Sequence, residues 1–413
     1  MTNDNDRTDN AVACLLLYRG DDCSSYVDLP IHANVEFDFG REQVSTSLAF
    51  DDCTISRHHL RFHCVTFGEN NIATVAPMVY VRTISRHRVH LTQTMPDGSN
   101  STCFLERGGS SVLLNHGDIL KLSSRIFLRY DALVRDEDEQ TSLEPVVKHQ
   151  ALCFKKQYAI IPRALGAGGF ASVFLAINKK SHRQVACKIV PLPSKPPVPS
   201  LSDWTARPGK MALAQEATAR IVQHRKKCQN LRREFEILKG IDHPNIIRLE
   251  RAMYATDHIY IFQELVSGGD LLSYLEMKDG LDEPEAAVVV FQLLKALEYL
   301  HSRGIVHRDI KPENILMTSW RKGTRIVLTD FGQARKLIEG KPSAKDGQTI
   351  SRMQSVVGTR GYAAPYVCLN LGEKVTDLYA VKCTTAMTVF IRSANLATTR
   401  RSTSGQSDAW PAR

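Results

Sequence analysis

The sequence has little that would take it into a membrane or out of the cell. The apolar stretch at residues 288–300 is broken by Gln292, Lys295 and Glu298, and a bilayer span needs about 20 consecutive apolar residues. Ten cysteines are scattered with no C-x-x-C pair. They show no metal-ligand spacing either, and read as reduced intracellular thiols. The first ten residues are polar and acidic, with no basic segment leading into an apolar run, which argues against a secretory signal. There are no internal repeats. A soluble, intracellular chain without membrane contact is the expectation. What is present is enough for real cores: 413 residues, 43% of them apolar, sufficient for two or three domains. The formal net charge of +9 suits acidic or phosphorylated partners as well as nucleic acid, and no direct nucleic-acid contact is predicted.

Two folded regions are legible. Residues 11–132 carry short apolar runs (11–18, 59–65, 79–82, 111–114, 125–130) separated by Gly, Asp and Asn turns, the pattern of an all-β sandwich. An acidic run at 136–139 marks a linker over 133–157. A second domain spans 158–395, with strand-turn-strand character first and helices from about Leu231. Within it, residues 191–230 hold six prolines and then a basic run at 224–227, which predicts a disordered insertion. The Ser/Thr-rich basic tail, 396–413, is also expected to be disordered.

The chemistry concentrates in His307-Arg308-Asp309-Ile310-Lys311-Pro312-Glu313-Asn314, followed by Asp330-Phe331-Gly332. In phosphoryl transfer the protein mainly positions groups and stabilises charge. Asp309 can orient an attacking hydroxyl and accept its proton, and Lys311 can reach the phosphoryl group. Asn314 and Asp330 offer the oxygens that Mg²⁺ prefers when it also holds phosphates. The pair of motifs resembles the catalytic and magnesium loops of the eukaryotic protein kinases. The resemblance implies an α+β bilobal domain using ATP and Mg²⁺. It assigns Leu165, Gly166, Gly168 and Val173 to a glycine-rich nucleotide loop, Ala186 and Lys188 to the phosphate-facing third strand, and Glu234 to the partner of Lys188, with Glu236 as runner-up. Gln263 then guards the back of the adenine pocket, and Glu264 to Val266 form the hinge. Asp270 and Glu313 fall where arginine-directed kinases hold an arginine three residues before the target, which implies protein substrates with an upstream arginine. Asp282-Glu283-Pro284 starts a helix, with Val290, Leu294 and Leu297 as its core stripe.

The first region carries Gly40-Arg41, then Ser56-Arg57-His58-His59, and later Asn115-His116-Gly117-Asp118. This spacing resembles the forkhead-associated (FHA) domain, a phosphothreonine-binding sandwich. Arg41 would fork around a phosphate and Ser56 would add a hydroxyl donor, while His59 would brace the loops. Where the family has S-x-N-G, the chain has Ser85-Arg86-His87-Arg88; His87 replaces the asparagine, and Arg86 would add a phosphate contact.

In the activation segment, Ser355 is the expected phosphorylation switch, pairing with Arg308, with Thr349 and Ser351 as further candidates. Thr359 is expected to bond Asp309 and Lys311. The family's A-P-E reads Ala364-Pro365-Tyr366 here, and the pattern fades beyond 366, so an incomplete large lobe is expected. An FHA-like sandwich followed by such a kinase resembles the fungal checkpoint effector kinases, with features of the meiosis-specific branch. The resemblance implies a nuclear serine/threonine kinase recruited to a phosphothreonine-containing partner in DNA-damage or meiotic signalling. The alternative is a phosphothreonine-binding adaptor with an inactive or truncated kinase half.

Overall fold

Period-two alternation builds the amino-terminal strands: β1 (Ala11–Arg19), β2 (Asp22–His32), β3 (Glu36–Phe39), β4 (Leu60–Val65), β5 (Met78–Thr83), β6 (Val89–Thr94), β7 (Asn100–Leu105), β8 (Val112–Leu113), β9 (Ile119–Lys121) and β10 (Ile126–Ala132). They form two sheets in the computed structural model, ordered β2-β1-β10-β9-β6-β7 and β3-β4-β5-β8. Leu15, Leu17, Phe62, Cys64, Val79, Val81, Leu91, Leu120 and Leu128 lie in one core cluster between them. The all-β sandwich expected from the sequence is present. A short helix, α1 (Arg41–Leu48), follows β3. The structure describes residues 11–20, 22–66, 75–133, 143–168, 171–193, 210–278 and 280–336. Ser355, Thr359, Tyr366 and the tail at 396–413 lie outside them.

The stretch read as a linker is not plain coil. It contains α2 (Pro145–Ala151) and a 3₁₀ turn at Leu152–Phe154. Val147, Gln150 and Phe154 are buried. Phe154 meets Phe262 edge-on at 5.6 Å, and Phe262 stacks on Tyr158 at 3.8 Å. Strands β11 (Tyr158–Gly168), β12 (Ala171–Asn178) and β13 (Arg183–Pro191) then run antiparallel.

The chain separates into two compact units: residues 1–189 with 262–269, and residues 190–261 with 270–413. The division does not fall at 133–157; β11, β12 and most of β13 group with the sandwich. The second unit holds α3 (Lys210–Leu238), β14 (Leu249–Tyr254) and the first half of β15 (His258–Glu264). It continues with α4 (Leu271–Lys278), α5 (Glu283–Ser302), β16 (Ile305–Val306), β17 (Ile315–Met317), β18 (Ile326–Leu328) and β19 (Arg335–Lys336).

Two expectations are corrected here. Helix α3 begins at Lys210, inside the 191–230 stretch read as disordered. The six prolines end at Pro208, and Met211 to Arg220 are mostly Ala, Leu, Gln, Glu and Arg, strong helix formers with no breaker among them. Residues 194–209 remain outside the described set. On α5 the buried face is Val289, Leu293, Ala296, Leu297 and Leu300, one position round from the expected stripe, and Val290 and Leu294 are only half-buried. The run Ala286 to Val290 is apolar throughout, so period alone leaves its phase open. The helix start holds: the Asp282 side chain caps it by accepting from Glu285 N at 2.9 Å. Among the described residues no helix is long and apolar enough to cross a membrane.

Candidate functional site

At one end of the sandwich, the loop after β3 and the turns before β4 and after β5 are tied together. Gly40 caps α1, and a Cβ there would lie 1.8 Å from Arg57 O, so no larger residue fits without moving backbone. That approach lets Arg41 N donate to Ser56 O at 3.0 Å and Arg41 Nε donate to Ile55 O at 2.9 Å. The remaining guanidinium nitrogens make no hydrogen bond among the described residues. His59 is fully buried. Its Nδ1 accepts from Ser56 N at 3.0 Å, and its carbonyl accepts from Thr83 Oγ1, Ile84 N and Ser85 N. Burial, and secondarily the neighbouring His87, push its pKa down to about 4, so it is a neutral brace. Ser56 Oγ and Ser85 Oγ share a hydrogen bond at 2.7 Å, and Ser85 Oγ also accepts from His87 N. The structure therefore brings Arg41, Ser56 and His59 together and adds Ser85, whose role the sequence did not show. Arg86 is exposed and makes no hydrogen bond or ion pair among the described residues. The Asn115-to-Asp118 turn is structural: the Asp118 carboxylate accepts from Asn115 N at 2.9 Å and Gln93 Nε2 at 2.6 Å.

Further along the first unit, Gly166 pairs with Val173 and Val173 with Lys188. Directly opposed residues share a sheet face, so the nucleotide-loop candidates and the lysine stand in one row across three strands. Ala186, two residues from Lys188, lies on the same face. Leu165 precedes the row, and Gly168 pairs with Ala171 where β11 ends. Gln263 is buried; Glu264, which ends β15, and Val266, in the connection that follows it, are half-buried.

In the second unit, Glu234 on α3 is buried whereas Glu236 is exposed, which separates the two candidates. Glu234 Oε2 lies 3.8 Å from where a Cβ on Gly332 would stand, beside Asp330 Oδ1 at 3.3 Å. Asp330 takes a left-handed conformation (φ 59°), and its carboxylate accepts from Gly332 N. The fully buried His307 donates from Nε2 to Thr329 O at 3.0 Å and stands edge-on to Phe331 at 4.7 Å; burial holds its pKa below the usual range. One imidazole thus ties the 307–314 loop to the 329–332 turn. Asn314 Nδ2 donates to both Asp309 O at 2.8 Å and Asp309 Oδ2 at 3.0 Å. Lys311 Nζ lies 3.5 Å from the same Oδ2. The aspartate is fixed from two sides, with a cation beside it.

Asp270 and Glu313 differ from each other. Asp270 caps α4, accepting from Ser273 N at 2.9 Å and Ser273 Oγ at 3.0 Å, and burial pushes its pKa up. Glu313 Oε2 is buried with no hydrogen-bond partner among the described residues. The two elements adjoin through a bridge between Asp270 and Leu316. A cluster missed by the sequence reading is Arg233, Arg308 and Arg335: burial, then the charges of Arg233 and Arg308, lower the pKa of Arg335. Three arginines distant in sequence leave no local pattern.

Residues 209–406 match the protein kinase domain family. The chain is 31% identical over 363 residues, 85% of its length, to the meiosis-specific serine/threonine-protein kinase MEK1 of Saccharomyces cerevisiae. It is 30% identical over 329 residues, 76% of its length, to the meiosis-specific kinase mek1 of Schizosaccharomyces pombe. The serine/threonine-protein kinase chk-2 of Caenorhabditis elegans matches at 31% over 237 residues, 55% of this chain and 42% of that protein. The chain spans 63% and 57% of the lengths of the two meiotic relatives. An all-β sandwich is thus followed by a stretch that matches the protein kinase domain family over residues 209–406.

Proposed function

We propose that the chain is an ATP-dependent serine/threonine protein kinase that its FHA-like sandwich recruits to phosphothreonine on a partner protein. The observation that carries the catalytic half is the double grip of Asn314 on Asp309 with Lys311 at 3.5 Å. An aspartate so held can orient an acceptor hydroxyl and take its proton, while the lysine stabilises charge on the transferred group. The donor set fits Mg-ATP. Asn314 commits its amide nitrogen to Asp309, which leaves an amide oxygen to act beside the Asp330 carboxylate as hard ligands. Mg²⁺ would neutralise charge developing on the phosphates. Lys188, in its row with Val173 and Gly166, would hold them, supported by Glu234, with Gly168 over the phosphates, while Leu165, Ala186, Glu264 and Val266 would enclose the base.

For the sandwich, Arg41, Ser56 and Ser85 supply a guanidinium and two hydroxyls at one point, and the exposed Arg86 would add charge. Glu313 Oε2, buried and without a hydrogen-bond partner among the described residues, supports an arginine upstream of the acceptor in substrates; Asp270, engaged in capping, plays the lesser part. A phosphate on Ser355 would find Arg308 with Arg233 and Arg335 close by. Two relatives are named as meiosis-specific kinases, so the setting proposed is nuclear meiotic or checkpoint signalling.

The test uses two substrate peptides with arginine at minus three, one linked to a phosphothreonine docking segment. Phosphoryl transfer to the linked peptide should show a KM at least about tenfold lower, as expected from effective concentration. Arg41→Ala should abolish the advantage and Asp309→Ala should abolish transfer to both. Equal KM values would remove the recruitment half. Transfer that survives Asp309→Ala would remove the catalytic half.

A further inference from the structure

The four-stranded sheet of the sandwich is buried on both faces. Phe62, Cys64, Val79 and Val81 face the sandwich core. The alternate residues His63, Val65, Met78, Tyr80 and Leu113 point the other way, yet each is at most 2% exposed. Their cover comes from the strands and post-hinge turn of the same unit. Gln184 on β13 clasps the backbone of Leu113, accepting from its N at 2.7 Å and donating to its O at 2.8 Å. Arg163 on β11 donates to Pro77 O at 2.7 Å. His63 Nε2 donates to Ser267 O at 2.7 Å, and its ring stacks on Tyr80 at 5.1 Å. A Cβ on Gly269 would lie 2.9 Å from Val65 Cγ1. The seam is therefore buried, polar and specific rather than a loose apolar contact.

Its ends reach both ligand sites. Leu60 pairs with Thr83, and His63 with Tyr80, on the same two strands; Leu60 follows the brace His59, and Thr83 bonds it. Three residues of strand, about 10 Å, separate the phosphate-facing loops from His63. At the other side, Ser267 directly follows Val266 of the hinge. We infer that this seam is an interaction surface through which the sandwich grips the hinge side of the small lobe, so that phosphopeptide and nucleotide binding are coupled. The inference rests on the proposed reading of the two sites. Coupling of this kind is reciprocal: whatever factor a phosphothreonine peptide imposes on nucleotide affinity, the nucleotide imposes on the peptide.

The test uses the full chain and hydrogen exchange read by mass spectrometry. Saturating Mg-ADP should slow amide exchange in residues 60–65 and 78–83 at least about threefold in the wild type. The slowing should vanish in His63→Phe, which keeps a ring on Tyr80 but loses the donor, and in Gln184→Ala. Both variants should bind Mg-ADP within about twofold of wild type, showing that the nucleotide site survives. Separately, a phosphothreonine peptide should change the Mg-ADP dissociation constant at least about fivefold, the low end of measured couplings, and leave it unchanged in the variants. No exchange response in the wild type, or the same response in both variants, overturns the inference. A peptide that fails to bind while the exchange response is present counts against the phosphothreonine reading and leaves the seam supported.

Discussion

Single residues decide whether the loops of the sandwich can assemble. Gly40 is required because a side chain would collide with backbone at 1.8 Å, and overpacking of this kind costs about 1–3 kcal/mol or more. Gly40→Ala should lower the denaturant midpoint and weaken phosphopeptide binding together. His59 gives a pH signature. Its folded pKa of about 4 lies below the ordinary value near 6.5, so between these values the unfolded chain holds a proton that the folded chain does not. Its contribution to stability is therefore complete above about pH 6.5 and declines as pH falls toward 4. Denaturant midpoints of wild type and His59→Asn at pH 7 and pH 5 check this: the wild type should lose more on acidification than the variant, and equal losses would contradict the buried neutral brace. The contrast between Asp270 and Glu313 also belongs at this scale. Asp270 is a residue type that caps helices, and its bonds to Ser273 place it at the start of α4, whereas the kinase resemblance assigns it only to a substrate arginine. The isolation of Glu313 Oε2 depends on packing and has no sequence signal. Glu313→Gln should raise KM for an arginine-at-minus-three peptide by about tenfold, the effect of losing a charge-assisted pair, with kcat little changed.

Elements were legible where pattern and chemistry agreed. The sandwich strands follow alternating runs, and the cap at Asp282 followed from acids and proline in one turn. Helix α3 shows where composition misleads: its prolines and its alanine-rich segment adjoin, and the first masked the second. Thr218 to Val222 on α3 are exposed, whereas Glu234, Phe235, Ile237 and Leu238 are buried. The helix should accordingly be held by its carboxyl-terminal third. Ala219→Gly should cost about 1 kcal/mol locally, seen as faster amide exchange over 218–225, with little change in melting temperature. A large fall in melting temperature would mean that the first half is packed more firmly than its exposure indicates. The phase of α5 and the placement of His63 were not readable, because both depend on which neighbour covers an apolar or polar face.

At the scale of the whole molecule, the sandwich shares a compact unit with β11, β12 and most of β13, and the 307–314 loop belongs to the other unit. Nucleotide should stabilise the fold that binds it, by about 2.7 kcal/mol at a hundredfold excess over its dissociation constant. Mg-ATP should therefore raise the melting temperature of the wild type, and Lys188→Met should blunt the shift. The most direct measurement is transfer of radiolabelled phosphate from ATP to a serine peptide with arginine at minus three, by the wild-type chain and by Asp309→Ala side by side. The expected result is incorporation that requires Mg²⁺ and falls at least about a thousandfold in Asp309→Ala, a loss within the usual range for a positioned proton acceptor. Incorporation equal in the two proteins, or none from a wild-type chain that binds Mg-ATP, would contradict the assignment of Asp309 and the phosphoryl-transfer site built around it.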